Sequence, residues 1–221
     1  MTPRTRASTE LTVGGLLVLA VIGAGLFFKV RPGATVLDRW ALAAIPAVHH
    51  SGLLLVVTRL GSPFVVVVAA VAGFLATWRR NRPRALALLV GPVLAVAVCD
   101  WVLKPAVGRT FEDVVSFPSG TVTAVAAVAT VGLLATPDRW RSLVAALGGT
   151  VTVLACVSVV ALRWHFPTDA VAGLAAGAGV VLLSDCAARA MGARLQPGAG
   201  RRGSGAATAE PRPDAERTTT H

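Results

Sequence analysis

Charge is scarce in this chain, and what there is lies in clumps. Only 14% of the 221 residues are charged, against 54% hydrophobic, and the mean hydropathy is +0.68. A soluble domain interleaves its charges; here short charged clusters separate long uncharged runs, the pattern of a polytopic helical membrane protein. Ionisable residues are also lacking near the middle of the runs, which argues against a channel or an unrelated transporter. Cysteine is limited to Cys99, Cys156 and Cys186, all in apolar runs. An odd number so placed argues against a disulfide framework, and the wide spacing against a metal cluster, leaving small hydrophobes packed between helices. Gly-rich phosphate loops, zinc-finger spacings and basic–aromatic interleaving are absent as well. The net charge of +10 is therefore read as a topology signal, with no nucleic-acid partner implied.

Taken in order, the chain has a polar start (residues 1–11), a membrane domain (12–191) and a tail (192–221) rich in Gly, Ala, Pro, Thr and Arg that should be disordered. The first expected span is Leu11 to Phe28, long enough to be an uncleaved span rather than a signal peptide. Residues 35–60 scatter Asp38, Arg39, His49, His50 and Arg59 among apolar residues and read as an amphipathic segment at the outer interface. His49 and His50 are adjacent; on a helix they point about 100° apart and do not readily share a metal ion. Five further spans follow, at about 63–78, 85–103, 119–137, 142–162 and 167–191. The expected fold class is thus all-α, a six-helix membrane bundle.

Six spans put both termini on one side. With that side cytoplasmic, it holds 14 of the 21 basic residues, including the cluster Arg79 to Arg84, and the positive-inside rule supports an N-in, C-in topology. The expected location is a plasma membrane of the bacterial inner-membrane type.

The same topology gathers Lys104, Arg109, Ser119, Gly120, Arg163, His165 and Asp169 at the outer ends of the last four spans. Cations beside a His and an Asp at this depth are costly unless they bind an anion. Lys104 is one of two lysines against nineteen arginines. Its choice over Arg points to a compact ammonium for one phosphate oxygen, and Asp100, one turn earlier, is placed to pair with it. In FPSGT, Ser119 is a helix N-cap, and the free N–H groups after it form an anion site that Gly120 leaves open. In WHFPTDAVAG, Pro167 fits a first helical turn. His165 and Asp169 then stand four apart, placed for a carboxylate to hold the imidazole tautomer.

In this order the three stretches resemble the membrane-bound type 2 phosphatidic acid phosphatase family, or lipid phosphate phosphatases, whose phosphate site resembles that of vanadium haloperoxidases. The resemblance runs from about His49 to Leu183. It implies that His165 is the nucleophile forming a phosphohistidine and that Asp169 orients it. Lys104, Arg109, Ser119, Gly120 and Thr121 would line the phosphate site, with no metal or other cofactor required. The substrate implied is a lipid phosphate or a (poly)prenyl diphosphate such as an undecaprenyl one, met at the outer leaflet. Oligomeric state is not encoded in any motif.

Three positions depart from the family pattern. The Arg expected seven residues after the Lys is Phe111, with Arg109 lying five after. The Arg expected after Ser158 is Val159, with Arg163 one helical turn later and able to reach the same phosphate. The His expected to close Pro-Ser-Gly-His, the proton donor to the leaving group, is Thr121. Losing such an acid costs ~10²–10⁴-fold. The cost is smaller for a phosphate leaving group, so a lipid diphosphate substrate, or Glu112 or Asp113 as a borrowed acid, is expected. The alternative is a relative that binds or moves phospholipid headgroups without turnover.

Overall fold

The computed structural model describes residues 3–48 and 51–195. His49-His50 and the tail beyond residue 195 lie outside the described residues. Among the described residues, nine α-helices and a small hairpin follow one another: α1 (Pro3–Val30), α2 (Val36–Ala44), α3 (Gly52–Arg59), α4 (Pro63–Trp78), α5 (Arg82–Ala97), α6 (Lys104–Val107), β1 (Thr110–Phe111), β2 (Val114–Val115), α7 (Gly120–Ala135), α8 (Asp138–Ala161) and α9 (Pro167–Leu195). A π-helical stretch, Val98–Leu103, joins α5 to α6.

The boundaries follow local chemistry. Thr35, Ser51, Ser62, Asn81 and Ser119 each cap a helix N-terminus with a side-chain oxygen. Proline enters the first turn of α4, α5 and α9, where its missing N–H leaves no bond unmade. α1 begins at Pro3, so its helix takes in the polar residues ahead of the first expected span. α2 and α3 are two short helices where one interfacial segment was expected, and α3 meets α4 at a 45° bend.

Each of the six expected spans falls on a helix: α1, α4, α5, α7, α8 and α9. Four of them, α1, α5 with its extension, α8 and α9, have the length and apolarity to cross a membrane alone, and the bent α3–α4 pair makes a fifth. α7 has 16 residues, or about 24 Å, against a hydrocarbon core of about 30 Å. It is also among the most buried helices, packed on α4, α5, α8 and α9. A helix shielded by others has little need to match the lipid thickness.

α9 lies against α1, α5 and α7. Gly173 and Gly177 let it touch α7: a Cβ at Gly173 would stand 2.5 Å from the Ser119 carbonyl, and one at Gly177 would collide with the Thr123 carbonyl. This is the small-residue packing by which membrane helices gain close backbone contact without a hydrophobic driving force. It fixes the start of α9 beside the start of α7, where the candidate site lies.

The opposite end is tied by ions. Asp185 of α9 is fully buried and bridges Arg84 and Arg189, each at 2.9 Å. Glu10 of α1 pairs with Arg189. The three cysteines are free.

Candidate active site

A cavity of about 490 Å³ opens where α4, the α5–α6 junction, the start of α7 and the α8–α9 loop meet. Asp100, Lys104, Gly120, Thr121 and His165 line its polar part, and Val66, Val67, Val93, Val96 and Trp101 its apolar part. Lys104 Nζ is 2.6 Å from Asp100 Oδ1, the pairing expected from their spacing. Pro105 cannot donate to the carbonyl four residues back. The helix widens just ahead of it, with Lys104 N–H bonding the Cys99 carbonyl, and such π-turns recur at functional sites. The ion pair lies against α7: a Cβ on Gly120 would meet Asp100 Oδ1 at 3.0 Å and Lys104 Nζ at 3.3 Å.

Ser119 is the N-cap of α7, buried, with its hydroxyl accepting from Val122 N–H. Its own N–H donates to the Asp169 carbonyl at 3.0 Å, which locks the two helix starts together. The N–H groups of Gly120 and Thr121 have no intrahelical acceptor and mark the positive end of the helix. Gly61 packs on Thr121 so closely that a Cβ there would be 2.7 Å from the Thr121 carbonyl.

His165 sits in a tight turn. Arg163 adopts a left-handed conformation (φ 58°), and the N–H groups of Trp164 and His165 both donate to the Val159 carbonyl. The imidazole Nδ1 is 2.8 Å from the Ser116 carbonyl. A carbonyl only accepts, so Nδ1 carries the proton and Nε2 keeps its lone pair. Burial, with the Lys104 ammonium acting in the same sense, pushes the His165 pKa down to about 4, against the Ser116 bond and the Asp100 carboxylate. The ring is neutral at neutral pH.

Asp169 does not make the bond to His165 that their spacing suggested. Its Oδ2 accepts from Phe166 N–H at 3.1 Å and its Oδ1 from Arg109 at 2.5 Å. As the third residue of α9, Asp169 folds back onto its own helix start, as the acidic partner of a capping box does. Ser116 ties His165 to the segment that carries Arg109: its carbonyl accepts from the imidazole Nδ1 and its hydroxyl donates to the Arg109 carbonyl at 3.3 Å.

Two arginines are placed differently from the expectation. Arg109 is fully buried, stacked between Phe28 (3.7 Å) and Phe166 (4.2 Å). It donates to the Pro32 and Gly33 carbonyls, Thr168 Oγ1, Asp38 and Asp169. A guanidinium has five N–H donors, and all are engaged, so none remains for a phosphate. Arg163 donates to the Leu42 and Ile45 carbonyls at the end of α2, the usual place for a cation to close a helix. Among the described residues Lys104 is the one cation lining the cavity. The other departures are apolar packing: Phe111 stacks edge-on against Phe166 at 4.5 Å, and Val159 is in the core. Glu112 and Asp113 form the exposed tip of the β1–β2 hairpin and do not line the cavity.

Asp38 and Ser116 were not read as site residues. Asp38 is fully buried and takes hydrogen bonds from Thr35, Thr168 and Arg109. Burial pushes its pKa up, and these donors outweigh that and hold it below the ordinary Asp value. The Thr35-x-x-Asp38 capping box was a legible sign of order here; the 71-residue separation from Arg109 was not.

The bundle and the placement of His165 define a helical membrane protein with a histidine-centred cavity at one end. The sequence profile of the PAP2 superfamily matches residues 60–189, and the chain belongs to that superfamily. No curated protein sequence matches the chain. Among solved structures it is similar to the first transmembrane PAP2 type phosphatidylglycerolphosphate phosphatase from Bacillus subtilis, with a TM-score of 0.61 and 20% identity over 80% of this chain and 96% of the other.

Proposed function

We propose that the protein is a lipid phosphatase acting at the outer leaflet of a bacterial plasma membrane. The observation that carries this reading is the cavity itself: a neutral imidazole, an ammonium and a helix N-terminus converge at one end of an apolar groove. The groove accepts hydrocarbon and the polar end accepts phosphate. His165 Nε2 attacks phosphorus; the P–N bond forms as the P–O bond to the leaving group breaks, and water then hydrolyses the phosphohistidine. Lys104 and the first N–H groups of α7 stabilise the charge that spreads over the phosphoryl oxygens. Asp169 positions the nucleophile by accepting from the N–H of Phe166, the residue next to His165, and from Arg109.

Thr121 leaves the departing group without a protonating side chain, and Glu112 and Asp113 stand away from the cavity. The preferred substrate is accordingly a (poly)prenyl or other lipid diphosphate, whose phosphate leaving group departs unaided more readily than an alkoxide. The commitment of Arg109 and Arg163 to acceptors within the fold favours a second reading, a member that holds or moves phospholipid headgroups without turnover.

Phosphate release from a lipid panel separates the two, with His165→Ala alongside. Release from a diphosphate that the variant lacks supports the enzyme. Absence of release from every lipid, by folded protein that still binds vanadate, supports the headgroup binder. Faster release from phosphatidic acid than from a polyprenyl diphosphate overturns the leaving-group argument.

A further inference from the structure

The end of the bundle remote from His165 holds a second cavity, of about 740 Å³, formed by the end of α4, the turn that follows, the start of α5 and the last turns of α9. Arg79, Arg80, Arg82 and Arg189 line it together with Trp78, and among the described residues no carboxylate does. The nearby acids are committed elsewhere: Asp185 holds Arg84 and Arg189, and Glu10 holds Arg189. Among the described residues Arg79, Arg80 and Arg82 have no ion-pair partner. Arg79, Arg80 and Arg82 are exposed, and they line one concavity together, where their mutual repulsion is relieved by an anion. The Arg82 guanidinium lies 5.3 Å over the Trp78 ring, a stack that holds one planar fork in place, and such forks match phosphate geometry.

The setting selects a lipid. Trp78 closes the apolar α4 at the level where tryptophans meet headgroups, and it stacks on Phe74 at 4.8 Å, giving acyl chains an aromatic wall directly below the arginines. We propose that this cavity binds the phosphate of an anionic phospholipid headgroup, at a site separate from the His165 cavity. The proposal does not depend on turnover at His165.

The test is thermal unfolding of the purified full-length chain in neutral detergent, with added phosphatidylglycerol, phosphatidylcholine or inorganic phosphate. The variants are R79Q/R80Q/R82Q, with R139Q as an exposed control and K104Q to silence the other cavity. Phosphatidylglycerol should raise the unfolding midpoint of the native chain, R139Q and K104Q, and phosphatidylcholine should not. The triple variant should need at least about tenfold more phosphatidylglycerol for the same shift, since each surface cation contributes on the order of a fewfold. Should the triple variant fail to fold, R80Q alone, with an expected shift of about three- to fivefold, carries the test. An unchanged response in the variant that folds, or equal stabilisation by phosphatidylcholine, overturns the site. Equal stabilisation by millimolar inorganic phosphate overturns the lipid as its occupant.

Discussion

The two ends of the bundle use arginine in opposite ways. At the His165 end, Arg109 and Arg163 are bound into the fold: one welds α1, α2 and α9 together through Asp38 and Asp169, the other closes α2. The cation left facing the cavity there is a lysine paired with a carboxylate. At the other end, Arg84 and Arg189 are neutralised by Asp185, while Arg79, Arg80 and Arg82 face a cavity with no acid in its lining among the described residues. Counting cations near a helix end therefore does not locate a phosphate site. What matters is which donors remain after the fold has used the rest.

The largest effect that would break this contrast is expected at Arg109. Arg109→Ala should leave Asp38 and Asp169 buried without their cation and cost about 3–5 kcal/mol, measured as a large fall in the unfolding midpoint. If Arg109 instead bound substrate, the variant would fold normally and lose only phosphate affinity. Acid should act in the same direction as the mutation. The Asp38 carboxyl is held below its ordinary value, so its contribution is present above the usual Asp range and is lost as pH falls through the folded value.

Next in size is Lys104. Lys104→Ala should lower turnover by ~10²–10³-fold, as loss of one transition-state donor does, with little change in stability because the side chain is partly exposed. Its ammonium also helps depress the His165 pKa. In the native protein the rate should rise with pH through about 4, as the imidazole loses its proton, and then level. Residual activity in Lys104→Gln should show that limb displaced to higher pH. A limb that does not move would separate Lys104 from the nucleophile.

The smallest expected effect is a gain. Thr121→His supplies a proton donor at the start of α7 and should raise monoester turnover by about tenfold or more, toward the range general acids provide, while changing diphosphate turnover little. Equal gains on both substrates would show that the leaving group was never the limitation.

Much of this arrangement was legible in residues close together in the chain. The helix starts at Ser62, Asn81, Ser119 and Pro167 follow from caps and prolines that act within one turn. Asp100 and Lys104 are four residues apart and meet as that spacing requires. His165 and the start of α7 share an end of the bundle because hydropathy alone orders the spans. The same local rule failed for His165 and Asp169: spacing allowed the pair, but Asp169 had a nearer donor in Phe166 N–H and a stronger one in Arg109.

By itself the sequence determined the order of the apolar helices and the identity of the groups brought to each end. Every such feature rests on burial in lipid or on hydrogen bonds spanning a few residues. Tertiary structure alone decided which cation faces the cavity. Arg109 reaches partners 59 to 77 residues away, and Asp185 reaches Arg84 across 101. A guanidinium is satisfied by any acceptor the packing brings within reach, so its role is set by its neighbours in space and not by its neighbours in the chain.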